Sequence, residues 1–386
     1  MAGLAVLIVA VNLRAPMTAI PPLIPQLEAE LGLSGVTAGL ITTLPVLCMG
    51  LLAPAGQRLG HRIGRERAIT AALVLLLIGT VVRAAGGDGS ASLAFLYTGT
   101  LLVGAGIAVT GALLPSVVKD RYRTRSGLMT GAYMGGMSVS AALGALLAVP
   151  LAIALGSWQL SIVLWAVPVV LALAIWAPVT RSAERPRPAA EGPHVRLPWA
   201  HATAWLVVGY LILQSTQFYT QAAWIPSTYE ALGWSDTAAG VLLTVFAAAQ
   251  GLTGAVLPAL TDRVHDNRAL LLPCTLAAVV GIAGVTFAPE SAPYLWMVLI
   301  GAGLGAGFGL GLVYLVDYAV DAPASARLTA LAFLFSYGLA SLGPVWFGAL
   351  RDATGAFELP WAVLLVLAVI QVGYALVMSP NRARVH

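Results

Sequence analysis

The chain of 386 residues is 59% hydrophobic and only 9% charged, with a mean hydropathy of +0.89 and a formal net charge of +4. Soluble domains carry about 25% charged residues, so this composition excludes a water-soluble globular fold. It specifies a polytopic membrane protein with room for roughly twelve spans joined by short loops. Cys48 and Cys274 fall within apolar runs as small packing residues, and the five histidines sit in loops or at span ends. Neither set has metal-ligand or disulfide spacing, so no metal and no cofactor is expected.

The first apolar run covers residues 2–26 and holds Arg14 at its midpoint, within V-N-L-R-A-P-M-T-A-I-P-P-L-I-P at 11–25. It is longer than a signal-peptide core and lacks a basic start, so it reads as a retained span. A guanidinium near the bilayer midplane costs ~3 kcal/mol on the insertion scale. Such a residue faces a watery cavity or a buried partner; a static brace to a neighbouring helix is the alternative to a transport path. Further spans are read at 37–58, 68–85, 93–118, 128–151 and 158–178. A Pro- and Arg-rich stretch follows, and spans at 205–229, 238–260, 269–288, 294–319, 326–350 and 361–378 repeat the plan. The expected organisation is an N-terminal six-helix bundle at 1–179, a cytoplasmic linker at 180–199 and a C-terminal six-helix bundle at 200–386.

Basic residues fix an orientation. With the N-terminus inside, the outer side holds only Arg83 and Arg351 of the 20 Lys and Arg, and Arg14 lies within the membrane. The rest fall on inner loops and the tail, so both termini are expected to be cytoplasmic. The same distribution accounts for the positive charge without nucleic acid. The halves align with Leu31-Gly32 set against Leu232-Gly233. In that register Arg62 meets Arg263, Gly104-Ala105-Gly106 meets Gly305-Ala306-Gly307, and Asp120 meets Asp321. A duplicated six-helix unit with both termini inside is a parallel-repeat transporter architecture, with substrate expected near the midplane between the halves.

The repeat assigns candidate substrate-binding residues. Arg14 corresponds to Ser215 and Thr18 to Tyr219. Thr18 is one helical turn from Arg14, and Phe218 shares the arc of Tyr219. Asn12 points away and is expected to support packing or a kink. Span seven carries the polar run Q-S-T-Q-F-Y-T-Q at 214–221, which a lipid-facing helix would not. Gln214, Gln217 and Gln221 either line a cavity or bond to other helices. Gln250 and Tyr337 are near-central polar residues with the same two readings. Glycine-dense spans four and ten allow close helix approach, whether for sliding or for static packing.

The loop G-H-R-I-G-R-E-R at 60–67 resembles the major facilitator signature between spans two and three, with His61 at the usual Asp position. The second copy keeps that acid as Asp262, followed by Arg263. By this resemblance Arg62, Arg65, Asp120, Asp262, Arg263 and Asp317 form a cytoplasmic gate. More specifically, the stretches at 12–25 and 31–54, W-I-P at 224–226 and G-P-V-W-F-G-A-L-R-D-A-T-G at 343–355 look like the CynX/NimT branch. The resemblance implies an all-α membrane protein, with twelve transmembrane helices in two pseudo-symmetric six-helix bundles, in a bacterial inner membrane. It implies a secondary transporter of a small planar anion or azole, cyanate-like or nitroimidazole-like, for which Arg14 is a suitable partner. A monomer is usual for this fold, and proton coupling is left open. The alternative is a proton-coupled multidrug exporter, which needs a carboxylate in the membrane where this chain offers Arg14. A receptor or membrane enzyme has no nucleophile–base pair, phosphate loop or soluble domain to act through.

Overall fold

Ile153, Leu252 and Phe287 are 70%, 67% and 77% exposed, an outward apolar surface that water would not tolerate and a bilayer requires. The structure is a computed structural model and describes residues 2–86, 90–121, 126–181 and 197–385. Most of the linker read at 180–199 lies outside the described residues. Among the described residues, eleven helical segments are long and apolar enough to cross a membrane.

The first span is in pieces. Helix α1 (Ala2–Val11) is followed by the single turn α2 (Ala15–Thr18), a 3-10 turn over Pro21–Leu23, and α3 (Ile24–Leu31). Pro21 and Pro22 carry no N–H, so the carbonyls of Met17 and Thr18 have no helical donor four residues on and the helix cannot continue. Helices α4 (Gly35–Ile63), α5 (Arg65–Ala84), α6 (Ser90–Arg121) and α7 (Ser126–Leu155) follow. The Ser34 hydroxyl caps α4 by accepting from the Thr37 N–H at 3.3 Å, and Gly64, at φ +95°, makes the turn between α4 and α5. The sixth span is divided at Trp165 into α8 (Trp158–Leu164) and α9 (Ala166–Arg181).

The second half contains α10 (Ala202–Ala231), α11 (Asp236–Val256) ending in a 3-10 turn over Leu257–Arg263, α12 (Arg268–Phe287) and α13 (Pro293–Asp317). It closes with α14 (Ala322–Ala340), α15 (Gly343–Thr354) and α16 (Glu358–Val377). Helix α10 has 30 residues, about 45 Å at the helical rise, so its length suffices for a twelfth span while its polar centre lowers its hydropathy. After α16 the tail turns back: the Val385 N–H donates to Tyr318 O, Val320 N–H donates to Val385 O, and Val385 is fully buried.

The helices form two compact units, Met1–Glu191 with Trp224–Thr244, and Gly192–Ala223 with Val245–His386. In the first, Val6 and Val9 of α1 pack with Leu73 of α5, Ile107 of α6 and Trp176 of α9. In the second, Val207 and Leu211 of α10 pack with Leu310 and Tyr314 of α13, Leu331 of α14 and Val385 of the tail. In lipid such cores hold by van der Waals fit and interhelical hydrogen bonds, since hydrocarbon competes for apolar surface. Fit depends on close approach, and α13 achieves it with glycine. A Cβ at Gly303 would fall 2.5 Å from the Cys274 carbonyl of α12, and one at Gly305 would run into the Gln250 carbonyl of α11.

Candidate functional site

Arg14 lies at the break in the first span. The N–H groups of Asn12 and Leu13 fall back to Val9 O (3.1 Å) and Ala10 O (3.0 Å), a 3-10 pattern that ends α1. Arg14 then takes φ −120°, ψ −44°, and its carbonyl opens the next turn by accepting from the N–H groups of Met17 (3.0 Å) and Thr18 (3.1 Å). Its side chain is half-buried and follows the C-terminal end of α1, where the helix dipole favours a cation.

Side chains take up several of the backbone groups around this break. Asn12 donates through Nδ2 to Ile8 O at 2.7 Å and to Pro168 O of α9 at 3.1 Å, so its role is that of a kink support. Ser140 of α7 accepts from the Ala15 N–H at 3.1 Å and donates to Val11 O. Arg83 of α5 donates through Nη1 to Pro16 O at 2.8 Å. Arg83 lies in the last turn of α5, inside the span read at 68–85, and is only 2% exposed, with its guanidinium turned into the protein. Nothing in sequence marks the inward turn of a lone Arg at a span end beside a Gly- and Asp-containing loop.

Thr18, one turn from Arg14, hydrogen-bonds through Oγ1 to Arg14 O at 3.2 Å. A Cβ at Gly144 of α7 would lie 2.5 Å from Thr18 Oγ1, so Thr18 stands against α7 and fastens the α2 turn. The side chain is half-buried.

In the second unit the polar run of α10 is largely engaged in packing. Gln214 donates to Leu304 O of α13 at 2.9 Å and accepts from the Ser215 hydroxyl at 3.3 Å, with both residues 2% exposed. Gln217 donates to Oε1 of Gln371 in α16 at 2.5 Å. Interhelical bonding is thus what Gln214 and Gln217 do here.

The aromatic candidates converge instead. Phe218 meets Tyr219 edge-to-face with centroids 5.0 Å apart, and Tyr219 meets Tyr337 of α14 at 6.2 Å. Two further rings extend this group: Phe246 of α11, stacked on Phe218 at 5.7 Å, and Phe333, 5.4 Å from Tyr337. Sequence reasoning missed both, although Phe246 lies four residues before Gln250 and Phe333 four before Tyr337, each pair on one helical face. Gln250 is half-buried on α11.

Of the gate residues, Arg62 and Arg263 are exposed at the ends of their helical segments and Arg65 is half-buried at the start of α5. The side chains of Asp120 and Asp262 lie outside the described residues. Asp317 accepts from Asn267 Nδ2 at 2.9 Å. Two charge pairs, Glu66–Arg121 at 3.1 Å and Asp266–Arg268 at 2.6 Å, were not anticipated. The Arg268 side chain holds the Asp266 carboxyl below the usual carboxylate range.

Comparison with known proteins gives these observations a context. The profile described as Major Facilitator Superfamily matches residues 4–344. The chain is 33% identical over 372 residues to the uncharacterized transporter YycB of Bacillus subtilis, covering 96% of this chain and 91% of that protein. It is 31% identical to the 2-nitroimidazole transporter of Escherichia coli K12, covering 96% and 93%. It is 30% identical to the cyanate transport protein CynX of the same organism, covering 98% of each. Among solved structures, the nucleoside transporter NupG shares the fold at TM-score 0.79 and 9% identity, covering 98% of this chain and 100% of that one. A bacterial homologue of the human lysosomal transporter Spinster does so at TM-score 0.78 and 17% identity, covering 98% and 96%.

Proposed function

This chain belongs to the Major Facilitator Superfamily, and on that premise we propose that it moves a small planar anion or azole across a bacterial inner membrane by alternating access, with Arg14 anchoring the substrate. That it is a multi-pass membrane transporter follows from the family and the helices. The single observation that carries the narrower reading is the placement of Arg14. It is a half-buried guanidinium at a helix break, in a chain about one-third identical to transporters named for 2-nitroimidazole and cyanate. A guanidinium offers a planar donor fork that pairs with an anion, or with the acceptor nitrogen and nitro oxygens of an azole, in two parallel hydrogen bonds. Charge-assisted bonds of this kind contribute ~1.5–3 kcal/mol, roughly ten- to a hundredfold in affinity. In this reading the basic loops face the cytoplasm and both termini are inside.

The test is flux. Purified protein in sealed liposomes is expected to take up labelled cyanate or 2-nitroimidazole saturably, each competing with the other. Saturable transport of lipophilic cations, with neither of these moved, would overturn the reading in favour of the drug exporter.

A further inference from the structure

Arg83 is fully buried, and its hydrogen bonds run to two different elements. Nε donates to Thr100 Oγ1 of α6 at 3.0 Å, Nη1 donates to Pro16 O at 2.8 Å, and Nη2 has no hydrogen-bond partner among the described residues. The Thr100 hydroxyl is itself aimed, because it donates to Leu96 O at 2.6 Å and so presents a lone pair to Arg83. Space for the guanidinium stem comes from glycine. A Cβ at Gly99 would fall 2.8 Å from Arg83 Cγ, and one at Gly79 would fall 2.8 Å from Gly99 O, so α5 and α6 touch backbone to backbone at this level.

A buried charge with an unused donor is an expensive brace, and a neutral amide or hydroxyl would cap one carbonyl at less cost. What the guanidinium adds is a rigid fork that fixes one particular carbonyl relative to α6. That carbonyl belongs to the same hydrogen-bonded turn as Arg14, whose own carbonyl accepts from Met17 and Thr18. Moving Pro16 therefore moves the backbone from which the Arg14 side chain projects.

We propose that Arg83 is a positioning residue for substrate binding: through Pro16 it sets the direction in which Arg14 presents its guanidinium. The proposal rests on the reading that Arg14 meets the substrate. Arg83 touches no substrate; its effect passes through the α2 turn.

The test is a double-mutant cycle on the affinity for cyanate, measured by isothermal calorimetry on detergent-purified protein, with Arg83→Gln, Arg14→Ala and the pair. Arg83→Gln is expected to weaken binding about tenfold, and the double variant is expected to bind within about twofold of Arg14→Ala alone, since a misaimed side chain that is absent cannot matter. Thr100→Val, which keeps the charge and the shape but removes the aim, is expected to weaken binding severalfold in the same direction, and it carries the test if Arg83→Gln does not fold. A folded Arg83→Gln with unchanged affinity beside a weakened Arg14→Ala would overturn this inference alone. Equal and additive losses in the cycle would also overturn it, because they would make Arg83 a general brace. Unchanged affinity in Arg14→Ala would overturn both this inference and the functional reading.

Discussion

The hydroxyl of Ser140 accepts from the N–H of Ala15 at 3.1 Å and donates to the carbonyl of Val11, standing where a helical bond between residues 15 and 11 would otherwise run. One side chain from α7 thus bridges the Ala15 N–H and the Val11 carbonyl where the first span changes direction at Arg14. Within a bilayer this is a requirement, since no lipid can serve as the missing partner.

Removing that hydroxyl should therefore be costly. Ser140→Ala leaves the Ala15 N–H and the Val11 carbonyl without their bridge, and Ser140 and Ala15 are only 1% and 2% exposed. The expected loss is ~1–3 kcal/mol, read as a lowered midpoint of thermal unfolding in detergent together with weaker substrate binding. An unchanged midpoint would mean that the break relaxes without help.

Gln217 and Gln371 give a second prediction. Replacing Gln217 alone by Leu strands the Gln371 carbonyl oxygen in the core of the second unit, at a cost of about 1–2 kcal/mol. Replacing both by Leu removes the stranded partner, so the double variant should be more stable than the sum of the singles predicts. Additive losses would indicate that the amides engage something other than each other.

Two glycines should respond oppositely to the same substitution. Gly305→Ala drives a methyl into the Gln250 carbonyl and should destabilise the second unit by ~1–3 kcal/mol, with reduced transport. Nothing lies within 4 Å of a Cβ at Gly338, so Gly338→Ala should be neutral or stabilise by up to about 1 kcal/mol. Expression level and thermal midpoint compare the two directly.

The fold was legible because hydropathy is a property of whole segments, and few residues can disguise a long apolar run. The break in the first span was half legible: Pro16, Pro21 and Pro22 announce it, yet Ser140, which completes it, is one small polar residue in an apolar helix with no pattern to expose it. Span seven shows the limit from the other side. Its glutamines read equally as cavity lining or interhelical bonds, and only tertiary placement decides, as with Gln214 against Leu304 and Gln217 against Gln371. The burial of Arg83 was hidden for a related reason. The end of a helix in sequence says nothing about whether its last turn faces lipid, water or another helix.

Ligand-induced thermal stabilisation, measured on wild type and on Arg14→Ala with cyanate, small carboxylates, nitroimidazoles and lipophilic cations, tests the role of Arg14 most directly. The account predicts a shift from a small planar anion or azole that disappears in Arg14→Ala, is partly restored in Arg14→Lys, and occurs with the variant folded at a midpoint near that of wild type. A shift produced by lipophilic cations and retained in Arg14→Ala would contradict it.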